Sequence, residues 1–104
     1  MVYYVNMIMS EEIIPKEELS DVLHRCPKWE IESDGIVRSY EFESFFEAIE
    51  FVNVVADIAD AAFHHPDIWI RYNKVKLILS THEIGGVTEA DVVLATRIDT
   101  VTDE

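Results

Sequence analysis

Three of the four histidines of this 104-residue chain fall in two short segments, Ala61-Ala62-Phe63-His64-His65-Pro66 and Thr81-His82-Glu83. Imidazole has an ordinary pKa of about 6.5 and can both give and take a proton near neutrality. Two histidines before a proline, with a third delivered further along the chain, point to proton transfer or to a metal site. Three histidines can hold zinc and leave a position open for water. Neighbouring His64 and His65 lack the His-x-x-x-His helical spacing that presents two ligands on one face, so the proton-transfer reading is preferred and no metal is expected. Two carboxylates accompany the histidines. Asp60 lies four residues before His64, which on a continuous helix places the two side by side. Asp91 lies three residues after Thr88, where it can close a helix cap or support the site.

The elements that must position these residues are legible from periodicity and turn signals. A first helix is predicted over about Pro15 to Arg25, with Leu19, Val22 and Leu23 on one face, because proline fits a first helical turn and Pro27 blocks continuation. Trp29-Glu30-Ile31-Glu32 alternates as a strand does, Asp34-Gly35 signals a tight turn, and Ile36 to Phe42 forms the return strand. Ser44 and Glu47 have capping-box spacing at the start of a long helix reaching about Phe63. On it Phe45, Ile49, Val52, Ala56, Ala59 and Phe63 form an apolar stripe, broadened by Phe46, Phe51, Val54, Ile58 and Ala62. So wide an apolar face suggests burial on a sheet plus a subunit contact. Pro66 is expected to end this helix, and His64 and His65 can share a pocket only if the helix unwinds there.

A second hairpin follows. Ile68, Ile70 and Tyr72 alternate with Trp69 and Arg71, a turn falls near Asn73-Lys74, and Val75, Leu77 and Leu79 alternate with Lys76, Ile78 and Ser80. Trp69 and Tyr72 read as strand core. Because this strand pair goes out and returns, Thr81-His82-Glu83 should come back to the sheet end where His64-His65-Pro66 left the helix. Gly85-Gly86 breaks the chain and Thr88 opens a last helix. The order α-β-β-α-β-β-α implies an α+β two-layer sandwich, a four-stranded antiparallel sheet with helices packed on one face.

Composition bounds the class of function. The length suits one domain over residues 1–104, and 49% hydrophobic residues with six glycines and prolines favour a folded chain. A formal net charge of -13 argues against nucleic acid or an anionic membrane surface as ligand, since phosphate binding needs clustered Lys and Arg. The single cysteine, Cys26, allows no internal disulfide and reads as a packing residue in a reducing compartment. The run Val2-Tyr3-Tyr4-Val5-Asn6-Met7-Ile8-Met9 lacks the length and basic flank of a signal peptide and reads as an extended segment. No stretch approaches the roughly 20 apolar residues of a membrane span. A cytoplasmic protein is expected.

The spacing Asp60, three residues, His64-His65-Pro66, five residues, Tyr72, nine residues, His82, eight residues, Asp91 resembles the signature of pterin-4a-carbinolamine dehydratases. The likeness extends through Trp29, Phe42-Glu43-Ser44-Phe45, Phe51-Val52-Asn53 and Gly85-Gly86-Val87-Thr88. It covers about Ser10 to Ile98 and leaves residues 1–9 as an N-terminal extension. The resemblance implies the same α+β sandwich and the removal of water from 4a-hydroxytetrahydropterin to give quinonoid dihydropterin, with no metal or organic cofactor. By motif position it implies His64, His65 and His82 as the catalytic histidines, which also bind the substrate. It further implies Pro66 and Thr81, His82, Glu83 and Ile84 as lining of the pterin pocket, and Asp60 and Asp91 as supporting groups. It implies a homodimer or homotetramer. The alternative is a non-catalytic binding or regulatory module of the same fold, acting through its oligomer interface.

Overall fold

The computed structural model describes residues 12–103, so the extended segment expected at residues 1–9 lies outside the described residues. The chain forms α1 (Lys16–Val22), a single 3-10 turn (Leu23–Arg25), β1 (Glu30–Glu32), β2 (Gly35–Glu41), α2 (Phe45–Ala62), β3 (Asp67–Arg71), β4 (Lys74–Leu79) and α3 (Glu89–Thr102). The strands make one antiparallel sheet in the order β1-β2-β4-β3. This is the α+β sandwich the element order implied. Among the described residues no helix is long and apolar enough to cross a membrane.

The core forms where the inner face of the sheet meets the helices. Alternation puts Ile36 on β2 and Val75, Leu77 and Leu79 on β4 toward the helices, all essentially without exposure. They meet Ala48 and Val55 of α2 and Val92, Leu94, Ala95 and Ile98 of α3, with Leu19, Leu23, Cys26 and Trp29 closing one end. Burial pushes the Cys26 thiol up to about 11, so this side chain is an inert packing group.

The inward face of α2 differs from the predicted stripe. Ala48, Val55 and Ala59 are buried, and Phe51, Val52, Ile58 and Ala62 pack beside them. Phe45, Ala56 and Phe63 point to solvent. Apolar residues surround so much of this helix that periodicity alone leaves its rotation about the axis unset. Trp69 and Tyr72 are likewise corrected from strand core to surface, at 67% and 66% exposure. Trp69 faces away from the helices on edge strand β3, and Tyr72 sits in the hairpin turn.

Both tight turns fall one residue earlier than their sequence signals. Glu32 pairs with Gly35 and Arg71 with Lys74, so the two-residue loops are Ser33-Asp34 and Tyr72-Asn73. Ser33 and Tyr72 adopt φ of 56° and 55°. Gly35 is therefore a strand residue. Its hydrogen is required by packing, since a Cβ there would lie 2.7 Å from the Leu79 carbonyl oxygen.

An ionic clamp that the sequence did not announce fixes α3 on the sheet. Arg38 occupies an inward position on β2, opposite Leu77. Its guanidinium donates to Asp99 Oδ1 at 2.6 Å and to both oxygens of Asp103 at 2.8 and 3.1 Å, and lies 4.6 Å over the Tyr40 ring. Trp29 Nε1 donates to the same Asp99 at 3.0 Å. Acidic groups near a helix C-terminus oppose the helix dipole, and the Arg38 hydrogen bonds offset this, holding Asp103 below the usual carboxylate range.

Replacing Gly35 by alanine forces β2 away from Leu79 or distorts the first hairpin. Gly35→Ala is expected to lower unfolding stability by about 1–3 kcal/mol. Urea titration should show a lower midpoint at unchanged slope; an unchanged midpoint would refute the close approach.

Candidate functional site

The site begins with the way α2 ends. Ser44 Oγ accepts the Glu47 N–H at 3.1 Å at its start, as the capping-box spacing predicted. At its end the last helical residue is Ala62, and Phe63 turns left-handed at φ 55°, ψ 34°. The Phe63 N–H reaches back to the Asp60 carbonyl at 3.2 Å and the His64 N–H to the Ala59 carbonyl at 3.3 Å. This paired pattern is the Schellman cap, which usually carries glycine at the left-handed position. The helix thus stops at Phe63, three residues ahead of Pro66, and His64 and His65 leave on non-helical backbone.

The left-handed turn at Phe63 changes the partner of Asp60. The four-residue helical spacing to His64 no longer applies, and Asp60 Oδ1 instead lies 2.9 Å from His65 Nε2. Both side chains are exposed, at 82% and 61%, so water screens this pair.

His64 turns inward to Asp91. Its Nε2 lies 2.5 Å from Asp91 Oδ1, with the carboxylate fully buried and the imidazole only 19% exposed. The other carboxylate oxygen, Oδ2, accepts the Thr81 hydroxyl at 2.9 Å and the Thr88 backbone N–H at 2.9 Å. The capping and chemical roles weighed for Asp91 are therefore one arrangement: Oδ2 caps α3 and Oδ1 holds the histidine. The hydrogen bond to Asp91 raises the His64 pKa above its ordinary value, against the opposing effect of burial, and the charges of Asp91 and Glu83 add to the rise. With Nε2 committed to Asp91, Nδ1 is the nitrogen that can exchange a proton with a ligand.

His82 arrives from β4. Thr81 forms an isolated bridge with Gly86, and the Ile84 and Gly85 N–H groups donate to the Thr81 carbonyl at 3.1 and 2.9 Å, folding residues 81–86 into a compact turn. Gly85 takes φ 73° there, a conformation glycine adopts without penalty. His82 Nε2 lies 3.4 Å from Asp67 Oδ2, both side chains exposed. Asp67 is the first residue of β3, one past Pro66. Its role escaped the sequence reading, although it directly follows the His-His-Pro run.

His64, His65 and His82 are thus gathered at one end of the sheet, His64 and Thr81 on the two oxygens of Asp91 and His82 against Asp67. Pro66 is half-buried, and Glu83 and Ile84 are exposed beside His82. Two surface grooves, of about 730 Å³ along β3 and about 330 Å³ between α2 and α3, contain none of these histidines. Among the described residues no group of three or more His, Cys, Asp or Glu side chains is arranged to hold a metal ion. The arrangement can donate and accept protons on a ligand at this sheet end.

Residues 12–101 match the family described as Pterin 4 alpha carbinolamine dehydratase. A protein of Thermomicrobium roseum, provisionally named a pterin-4-alpha-carbinolamine dehydratase, is 51% identical over 80 residues, covering 77% of this chain and 86% of its own. A Brucella melitensis crystal structure, titled as a transcriptional coactivator/pterin dehydratase, superposes with a TM-score of 0.79 at 29% identity. It covers 86% of this chain and 98% of its own. A pterin dehydratase-like protein described as a RuBisCO assembly factor in the alpha-carboxysome shares the fold at TM-score 0.55 and 20% identity, covering 70% and 84%.

The raised His64 pKa has a consequence for stability. Below about pH 6.5 folded and unfolded chains both carry the proton, and the His64–Asp91 attraction contributes fully. Above it the unfolded chain releases the proton first, so this contribution is lost as pH rises through the folded-state pKa. Urea unfolding between pH 5.5 and 9 should show wild-type stability falling across that window and a flatter profile for His64→Gln. Parallel profiles would contradict the pairing.

Proposed function

This chain belongs to the pterin-4a-carbinolamine dehydratase family, and from that premise we propose that it removes water from a 4a-hydroxytetrahydropterin to give the quinonoid dihydropterin. The reaction breaks the bond between C4a and its hydroxyl oxygen, which leaves as water after gaining a proton. The proton on N5 departs, and its electron pair forms the C4a=N5 double bond. One proton donor and one acceptor at the pterin edge are sufficient, and the family chemistry needs no metal or organic cofactor.

The observation that carries this reading is the His64–Asp91 pair. A histidine with raised proton affinity and a free Nδ1 suits delivery of a proton to the leaving hydroxyl, and His65 and His82 at the same sheet end suit acceptance of the N5 proton. Pro66 and the turn formed by Thr81, His82, Glu83 and Ile84 border this place, in keeping with a pterin-lining role. Exposed Phe45 and Phe46 on α2 and Trp69 and Ile70 on edge strand β3 support a homodimer or homotetramer, with those apolar surfaces as subunit contacts. The same surfaces favour a second reading: a non-catalytic module of this fold that works through its interface.

Chemically generated 4a-hydroxytetrahydropterin separates the two. The wild-type protein is expected to accelerate its dehydration, and His64→Ala and His82→Ala each to lose about 10²–10⁴-fold. Equal rates for all three proteins, or none above the uncatalysed reaction, would remove the enzymatic reading and leave the interface module.

A further inference from the structure

Thr81 is the one residue of the 81–86 turn whose every polar group is engaged inside the protein. Its N–H donates to the Gly86 carbonyl at 2.8 Å, and its carbonyl accepts from Ile84 and Gly85. Its hydroxyl donates to Asp91 Oδ2 at 2.9 Å and lies 2.8 Å from the Thr88 hydroxyl. A hydroxyl has one proton to give. Since Thr81 gives its proton to Asp91, the Thr88 hydroxyl must donate to Thr81. The protons therefore run in one direction, from Thr88 to Thr81 to Asp91, and the carboxylate's remaining oxygen faces His64 Nε2.

We propose that Thr81 is a positioning residue which couples the two halves of the site: one hydroxyl fixes the Asp91 carboxylate that holds His64, while the same residue's backbone shapes the turn that carries His82. This rests on the dehydratase reading for its catalytic consequence and on geometry alone for the coupling. The Thr81 hydroxyl, its one proton given to Asp91, has none left to donate to a ligand.

The direction of the effect follows from charge. Each donor to Asp91 spreads its negative charge and weakens its hold on the His64 proton. The charged groups facing His64 are Asp91 from α3 and Glu83 from the turn; Thr81 acts on the first and shapes the backbone that places the second. Removing the Thr81 hydroxyl leaves the fully buried Asp91 carboxylate with one donor fewer, and its pull on the His64 proton strengthens.

Thr81→Val keeps the branched shape and deletes the hydroxyl; Thr81→Ser restores it. NMR titration of the His64 ring in the folded protein, which needs no pterin, is expected to move upward by about half to one pH unit in Thr81→Val and to return in Thr81→Ser. In the dehydration assay Thr81→Val is expected to lose about tenfold in kcat with KM changed less than about threefold. If Thr81→Val fails to fold, Thr81→Ala deletes the same hydroxyl without adding a methyl group to the turn, and the same upward shift is expected. A His64 titration that stays in place in whichever variant folds overturns the proposal. So does a rise in KM at unchanged kcat, which would make Thr81 a ligand contact. A titration shift in a protein without dehydratase activity would sustain the coupling and refute the enzymatic function alone.

Discussion

A carboxylate with no exposed surface constrains everything around it. Asp91 is fully buried, and a buried charge left without partners costs several kcal/mol. The surrounding chain supplies three: the Thr88 N–H at the start of α3, the Thr81 hydroxyl beyond β4, and the His64 imidazole beyond α2. These donors come from three separate segments, so satisfying one carboxylate joins three element ends at one point. Moving any of them leaves Asp91 short of a partner. The rigidity of the site is thus a by-product of the need to hydrogen-bond a buried charge.

Two other features make that convergence geometrically possible. At the far end of α3, Arg38 and Trp29 grip Asp99 and Arg38 also grips Asp103, so the helix is held at both termini and Asp91 cannot slide along the sheet. At the end of α2, Phe63 accepts a left-handed backbone that costs a non-glycine residue roughly 1–2 kcal/mol. Without that reversal His64 would follow the helical path and point a full 100° away from His65. The strained residue is 84% exposed, so packing of its ring is not what holds it there. The two backbone hydrogen bonds of the cap and the docking of His64 on Asp91 do so.

The parts of this molecule that were legible in its sequence are those governed by local rules. The order of elements, both helix-start signals and the return of His82 to the end holding His64 followed from spacing, caps and strand alternation. What escaped depends on contacts between distant residues. The helix end near Phe63 was legible, but the Asp60–His64 pairing assumed a helical path through His64, and a left-handed phenylalanine, which no residue preference announces, turns the chain out of it. Arg38 carries no mark to distinguish an inward arginine from a solvated one, since its partners Asp99 and Asp103 lie more than sixty residues away. The rotation of α2 was unreadable because its apolar residues nearly encircle it. Gly35 looked like a turn glycine, and the reason for it lies on a neighbouring strand.

The three histidines show how burial alone differentiates identical chemistry. Each has a carboxylate oxygen near its Nε2, at 2.5 Å for His64, 2.9 Å for His65 and 3.4 Å for His82. For His65 and His82 both members of the pair are more than half exposed, and water competes for every hydrogen bond and screens the charges. Those pairs form and break with little consequence for the fold. His64 meets a carboxylate that has nowhere else to turn, in surroundings where the same attraction is far less screened. One imidazole is therefore held by a buried carboxylate, and the other two stand in solvent contact. That inequality among three like side chains comes from where Asp91 is placed.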